Sequence, residues 1–135
     1  AEYEGYIEYN HNTNGMLFGT NHASRLNLTS DGKGRSAFTI GAWVRFNQTS
    51  HSIFHSHNVS SIADQAVGQT NINFDTDYGA APCFAIGTDS ESITGHQYLA
   101  YGSLQILIKS PSNSFMDVQD CTVMTVGNVN NGWQE

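Results

Sequence analysis

The sharpest chemical feature of the sequence is His55-Ser56-His57, with His51 just upstream. Alternate residues of a strand project to one face. His55 and His57 would then lie side by side near Ile53 and Val59, where two imidazoles could contribute to a transition-metal site. The alternative is a pair of half-buried, hydrogen-bonded strand residues. Asp75 and Asp77 are the nearest approach to the carboxylate pair that cleaves glycosides, though a strand-ending turn accounts for both. Asp64, Asp75, Asp77 and Asp89 could offer loop oxygens to calcium, but no spacing defines a calcium loop. Ser, His and Asp are abundant without organisation. There is no Gly-x-Ser-x-Gly elbow, no His-Glu-x-x-His and no phosphate-binding Gly loop. The expectation is a protein that is not an enzyme.

Cys83 and Cys121 could form one disulfide. Their neighbours, Pro82 to Ile86 and Asp120 to Met124, read as strands in which a buried reduced Cys acts as a small hydrophobe. Sequons at Asn27, Asn47 and Asn58 are expected by chance in a chain so rich in Asn, Ser and Thr, and Asn27 and Asn58 fall inside expected strands.

These residues sit in a chain of 135 residues, enough for one compact domain and a short extra element. Charged residues are scarce, and Asn, Ser, Thr and Gly take their place, which is not a helical composition. The net charge of −7 and the scatter of Arg25, Lys33, Arg35, Arg45 and Lys109 argue against nucleic acid. No apolar run approaches the roughly 18 residues of a membrane span. The polar start at Ala1-Glu2-Tyr3-Glu4 carries no signal peptide, and the lack of an initial Met suggests a processed product or a piece of a longer chain.

Short β-forming segments split by Gly, Asn, Asp and Ser run throughout. Tyr6 to Tyr9, Met16 to Phe18 and Arg25 to Thr29 are expected strands, with turns at Asn14-Gly15 and Asp31-Gly32. So few strands are marginal alone and must pack on the rest of the chain or on copies of themselves. From Ala37 the strands lengthen. Thr39 to Phe46 should put Ile40, Ala42, Val44 and Phe46 on one face and Trp43 and Arg45 on the other. Ile53 to Ile62 is expected as one strand, and Gln69 to Asp75 as another, with Thr70, Ile72 and Phe74 inward. Pro82 to Gly87, Leu99 to Ile108 and Cys121 to Val126 complete at least six. Turns fall at Asp77 to Gly79, Asp89 to Glu91 and Ser110 to Asn113, and Gly127 to Glu135 reads as a surface tail. The fold expected is all-β: a short β-shaft or hairpin segment over residues 1–34, then a small β-sandwich over 35–135.

Two segments resemble tail-fibre proteins of tailed bacteriophages, particularly those of marine and cyanobacterial hosts. Gly5 to Asn12, Met16 to Thr20 and Arg25 to Gly32 look like a fibre repeat of the form "G-x-I-x-Y", aromatic strand, "R-x-x-I-x-x-x-G". The usual "V-G-I-G-T" continuation is missing, since Gly32-Lys33-Gly34-Arg35 leads straight on. Ala42-Trp43-Val44-Arg45-Phe46-Asn47, Asn58-Val59-Ser60-Ser61-Ile62, Gly68 to Phe74 and Ala85-Ile86-Gly87 are similar to a terminal fibre module, over most of residues 42–126.

The resemblance implies an intertwined homotrimer burying Ile7, Tyr9, Leu17, Phe18, Leu26 and Leu28. It implies a virion appendage outside the cell, joined to other tail proteins and attaching to a glycan or protein receptor on the host. Threefold symmetry would bring His55 and His57 of three copies towards one metal; the family module carries other residues there, so the expectation is no cofactor. Receptor contacts are expected on sandwich loops, with Tyr78, Tyr98, Tyr101 and Trp133 as stacking rings and Glu91, His96 and Gln97 in the longest loop. Tyr98 and Tyr101 could equally be core or interface residues. The rival reading is a capsid decoration or filament protein that only assembles. A lectin-like monomer, suggested by Phe38 to Val44, is another.

Overall fold

The computed structural model describes residues 4–36, 38–78, 83–100 and 102–127, without the side chains of residues 35 and 98–100. Among the described residues every regular element is a strand: β1 (Gly5–Asn10), β2 (Gly15–Thr20), β3 (Ala23–Leu28), β4 (Gly34–Arg35), β5 (Ile40–Asn47), β6 (Ser52–His57), β7 (Val59–Ala66), β8 (Gln69–Phe74), β9 (Cys83–Thr88), β10 (Ile93–Ala100), β11 (Ser103–Lys109) and β12 (Cys121–Val126). They form three four-stranded antiparallel sheets, ordered β1-β2-β3-β4, β6-β5-β12-β9 and β10-β11-β8-β7. The protein is all-β.

The small first sheet is a meander whose turns follow from residue type. Asn14, Asn21 and His22 take positive φ (51°, 50° and 58°), and Gly32 takes 78°. Such left-handed positions favour Asn and Gly and close hairpins with the right twist. Tyr9 Oη donates to Asn14 Oδ1 at 2.8 Å across the first turn.

The other two sheets stack as a sandwich. Ala42, Val44 and Phe46 of β5 and Cys121 and Val123 of β12 meet Ile72 and Phe74 of β8 and Leu104, Ile106 and Ile108 of β11 in one buried core. Strict alternation along β8 and β11 puts every second side chain inside. Each fully buried large side chain contributes roughly 1.5–3 kcal/mol, so the central strands of both sheets dominate stability.

Three expectations are corrected. Ile53 to Ile62 is not one strand, because the chain crosses between sheets at Asn58. That residue is buried and left-handed (φ 53°). Its Nδ2 donates to the Gly41 and Thr76 carbonyls at 3.1 and 3.3 Å, and its Oδ1 accepts the Thr76 N–H at 2.9 Å. An Asn that tolerates the left-handed well and replaces lost ladder bonds turns the corner. Leu99 to Ile108 is likewise two strands, β10 and β11, paired Ala100 to Ser103.

Ile40 points outward, 47% exposed, because the β5–β12 register slips between Thr125 and Val126. Gly41 lies in the slip, where any side chain would strike the Tyr78 phenol. In the first sheet, Leu17 and Phe18 stand on opposite faces, as neighbours in a strand do. Ile7 opposes Phe18, Tyr9 opposes Met16, and these oppose Leu26 and Leu28. Met16, not Leu17, therefore completes the apolar face. Leu17 stands on the reverse side beside Glu8 and Asn27.

The cysteines are free, Cys121 buried and Cys83 exposed rather than buried. On the β9–β12 ladder Cys121 opposes Thr88 while Cys83 opposes Val126. Five rungs separate them, about 16 Å at the usual rise, against the roughly 7 Å limit for a disulfide.

Candidate functional site

Strand directions define two ends of the sandwich. The first sheet joins through Gly34 to Ile40, so that end (the proximal one) holds Asn58, Asp75 to Tyr78 and Gly102. Lys33 Nζ reaches Thr76 Oγ1 there at 3.0 Å. Following β5, β7, β9 and β11 to their far ends leads to the distal loops: Gln48 to His51, Val67-Gly68, Asp89 to Ser92 and Ser110 to Asp120.

Among the described residues, the expected receptor residues do not converge. Tyr78 is a correction: it is fully buried, not solvent-facing. Its ring meets Phe74 edge-on at 5.0 Å, and its hydroxyl bonds Thr125 Oγ1, which itself donates to the Ala42 carbonyl at 3.1 Å. Burial pushes the phenol up to about 12, against the lowering effect of the Thr125 bond. Gly41 of β5 supplies the space for this ring, which explains why a loop tyrosine turns inward.

Glu91 is exposed in the distal β9–β10 turn. His96 and Gln97 lie on edge strand β10, not in a loop, which corrects their expected setting. His96 opposes Ile106 on the inner side of β10, and its ring lies 4.6 Å from that of Phe84. It caps the open edge between the sheets. Gln97 faces the other way, in a row with Gln105 and Asn71. The Tyr98 backbone opposes Leu104, about 20 Å along the strand from Glu91 at the usual rise. The Tyr98 side chain, Tyr101 and Trp133 lie outside the described residues.

His55 and His57 do share a face, opposite Arg45 and Trp43 on the outer side of β5. His51 Nε2 lies 3.5 Å from Asp64 Oδ2, both well exposed. Among the described residues no three His, Cys, Asp or Glu groups gather as a metal site. Arg45 instead binds Asp120 through Nε at 3.0 Å and also through Nη2, and lies 5.6 Å from the Phe54 ring centre. The guanidinium holds the Asp120 carboxyl below its ordinary value, by hydrogen bonding first and charge second. Asp75 and Asp77 are exposed on the proximal loop.

Sequence reasoning missed the exposed apolar residues of the distal end. Val67 is 58% exposed, Ile93 52% and Phe115 41%. Phe115 pairs with Lys109 in an isolated bridge, and Lys109 pairs with Ile93. The signal was present: an aromatic directly after Ser110-Pro111-Ser112-Asn113-Ser114 has no strand to bury it. Comparison of the chain with protein-family models, curated proteins and solved structures finds no match.

Proposed function

We propose that this chain is the end portion of a virion tail fibre. It works outside the cell as a homotrimer joined to other tail proteins, in reversible multivalent attachment to a host-surface glycan or protein. It turns over no substrate, needs no cofactor, binds no nucleic acid and enters no membrane. One observation carries most of the weight: the first sheet gathers Ile7, Tyr9, Met16, Phe18, Leu26 and Leu28 on one face, and the sandwich core takes none of them. Ile7 is 70% exposed, Tyr9 48%, Leu28 39% and Met16 38%. A sheet needs a layer over its apolar face, and copies of the same face supply it. The fibre-like motifs in both segments point the same way, and linked weak sites then gain avidity without new contacts.

The test has two parts. Light scattering is expected to give the mass of three chains for the native protein and one for Ile7→Asp. Fluorescently labelled protein is then offered to a panel of marine bacteria and cyanobacteria, where the trimer should adsorb and the Ile7→Asp monomer should not. A native monomer would sink the fibre reading. A trimer that adsorbs to no cell would favour a decoration or filament protein.

A further inference from the structure

We propose that the distal loop Ser110 to Phe115, with Lys109, Val67 and Ile93 around it, is a binding site for an uncharged sugar. The proposal rests on the attachment reading and specifies where contact is made and with what chemistry. Of the sandwich ends, only the distal one is free of the first sheet, so its loops are those a surface would meet first. Within them, Phe115 presents a ring that is 41% exposed, and Val67 and Ile93 at the same end are 58% and 52% exposed.

The polar groups beside that ring are already held in place. Ser110 N–H bonds the Ser114 carbonyl at 2.8 Å, and Asn113 N–H bonds the Ser110 carbonyl at 2.9 Å. Ser110 Oγ lies 2.8 Å from Ser112 Oγ and accepts the Ser114 N–H at 3.3 Å. Lys109 Nζ sits 4.8 Å from the Phe115 ring centre and donates to Asn113 Oδ1 at 3.1 Å. The base of the loop is fixed as well. Asp117 Oδ1 accepts the Gly68 N–H at 2.7 Å, and Met116 N–H bonds the Ile108 carbonyl at 3.1 Å. A loop ordered before binding loses little freedom on binding.

The ligand class follows from what this surface can complement. A partner must lay an apolar face on one ring and offer hydroxyls at its rim to Ser112, Asn113 and Lys109. A pyranose does both, and the mixture of one ring with Ser and Asn resembles adaptable recognition loops. Charge selects against acidic sugars. Lys109 and Arg45 are the cations in or beside these loops, and Arg45 is taken up by Asp120, whereas Asp89, Glu91 and Asp117 are further acids on them, in a chain of net charge −7.

The experiment uses the full native chain against arrayed gluco-, manno- and galacto-oligosaccharides, with uronate and sulfated counterparts on the same surface. Binding to neutral members is expected, at least tenfold weaker in Phe115→Ala and several-fold weaker in Asn113→Gly. Asn113 has φ 65°, so glycine keeps the turn and removes only the amide. Both variants should keep the native melting temperature and mass. No binding to any neutral oligosaccharide, binding to acidic ones alone, or an unchanged Phe115→Ala would overturn the site. If Phe115→Ala still adsorbs to cells as well as the native chain, attachment stands and this site does not.

Discussion

The first sheet and the sandwich are both built of short antiparallel strands with an apolar side, yet only one of them closes a core. In the sandwich, alternation on β8 and β11 faces alternation on β5 and β12, so Phe46, Ile72, Leu104 and Ile106 are essentially inaccessible. In the first sheet the register is just as well defined, with Ile7, Phe18 and Leu26 aligned across three strands, but among the described residues no second sheet pairs its apolar side with them in a core. Patterning decides which side is apolar. A second layer decides whether that side is buried, and that layer need not belong to the same chain.

The comparison breaks most visibly under matched truncations. Phe46→Ala should cost about 3–5 kcal/mol of sandwich stability, as large core aromatics do. Phe18→Ala should cost less, about 1–2 kcal/mol, in a dissociated chain, because its ring is only partly buried. Urea unfolding of both variants at dilution checks this, and equal losses would mean that the first sheet is covered from within. Next in size is the corner between the sandwich sheets. Asn58→Ala should cost about 2–3 kcal/mol, combining a left-handed strain with lost buried hydrogen bonds. Asn58→Gly should cost less, and melting temperatures of the two would separate backbone strain from bonding.

The smallest effect is set by pH. Tyr78 is neutral in the core with its pKa raised to about 12 from 10.0, mainly by burial. Cys121 is raised to about 12 from 9.0, first by burial and then by Asp120 and Asp89. A raised folded value means that the unfolded chain loses its proton first. Their contribution is complete below pH 9 and declines as pH rises towards 12. Stability titrated by denaturant should fall across that window, and Tyr78→Phe should flatten the upper part of the fall.

Much of the sandwich was legible because β-strand alternation is a local signal. Thr70, Ile72 and Phe74 face inward as their spacing implies, and Ala42, Val44 and Phe46 do too. Ile40 was not legible, since the slip that turns it out depends on its pairing with Val126. Asn58 looked like strand interior because it stands between the β-forming stretches on either side, Ile53 to His57 and Val59 to Ile62; only the sheet change shows its role. Tyr78 looked like a loop ring because the space it fills is made by Gly41, far away in sequence. The loop at Ser110 to Phe115 was read as a turn, and its exposed ring was passed over because periodicity has nothing to say about residues between strands.

The placement of β5 beside β12 has a mechanical consequence. The chain enters the sandwich at Ile40 on the proximal end, while β12 is fed from the distal loop, and the two strands are bonded from Phe46–Cys121 to Ile40–Val126. Tension between the first sheet and the distal tip therefore runs lengthwise along this ladder. Its rungs share the load and must fail together, where a peeling geometry would let them open one by one.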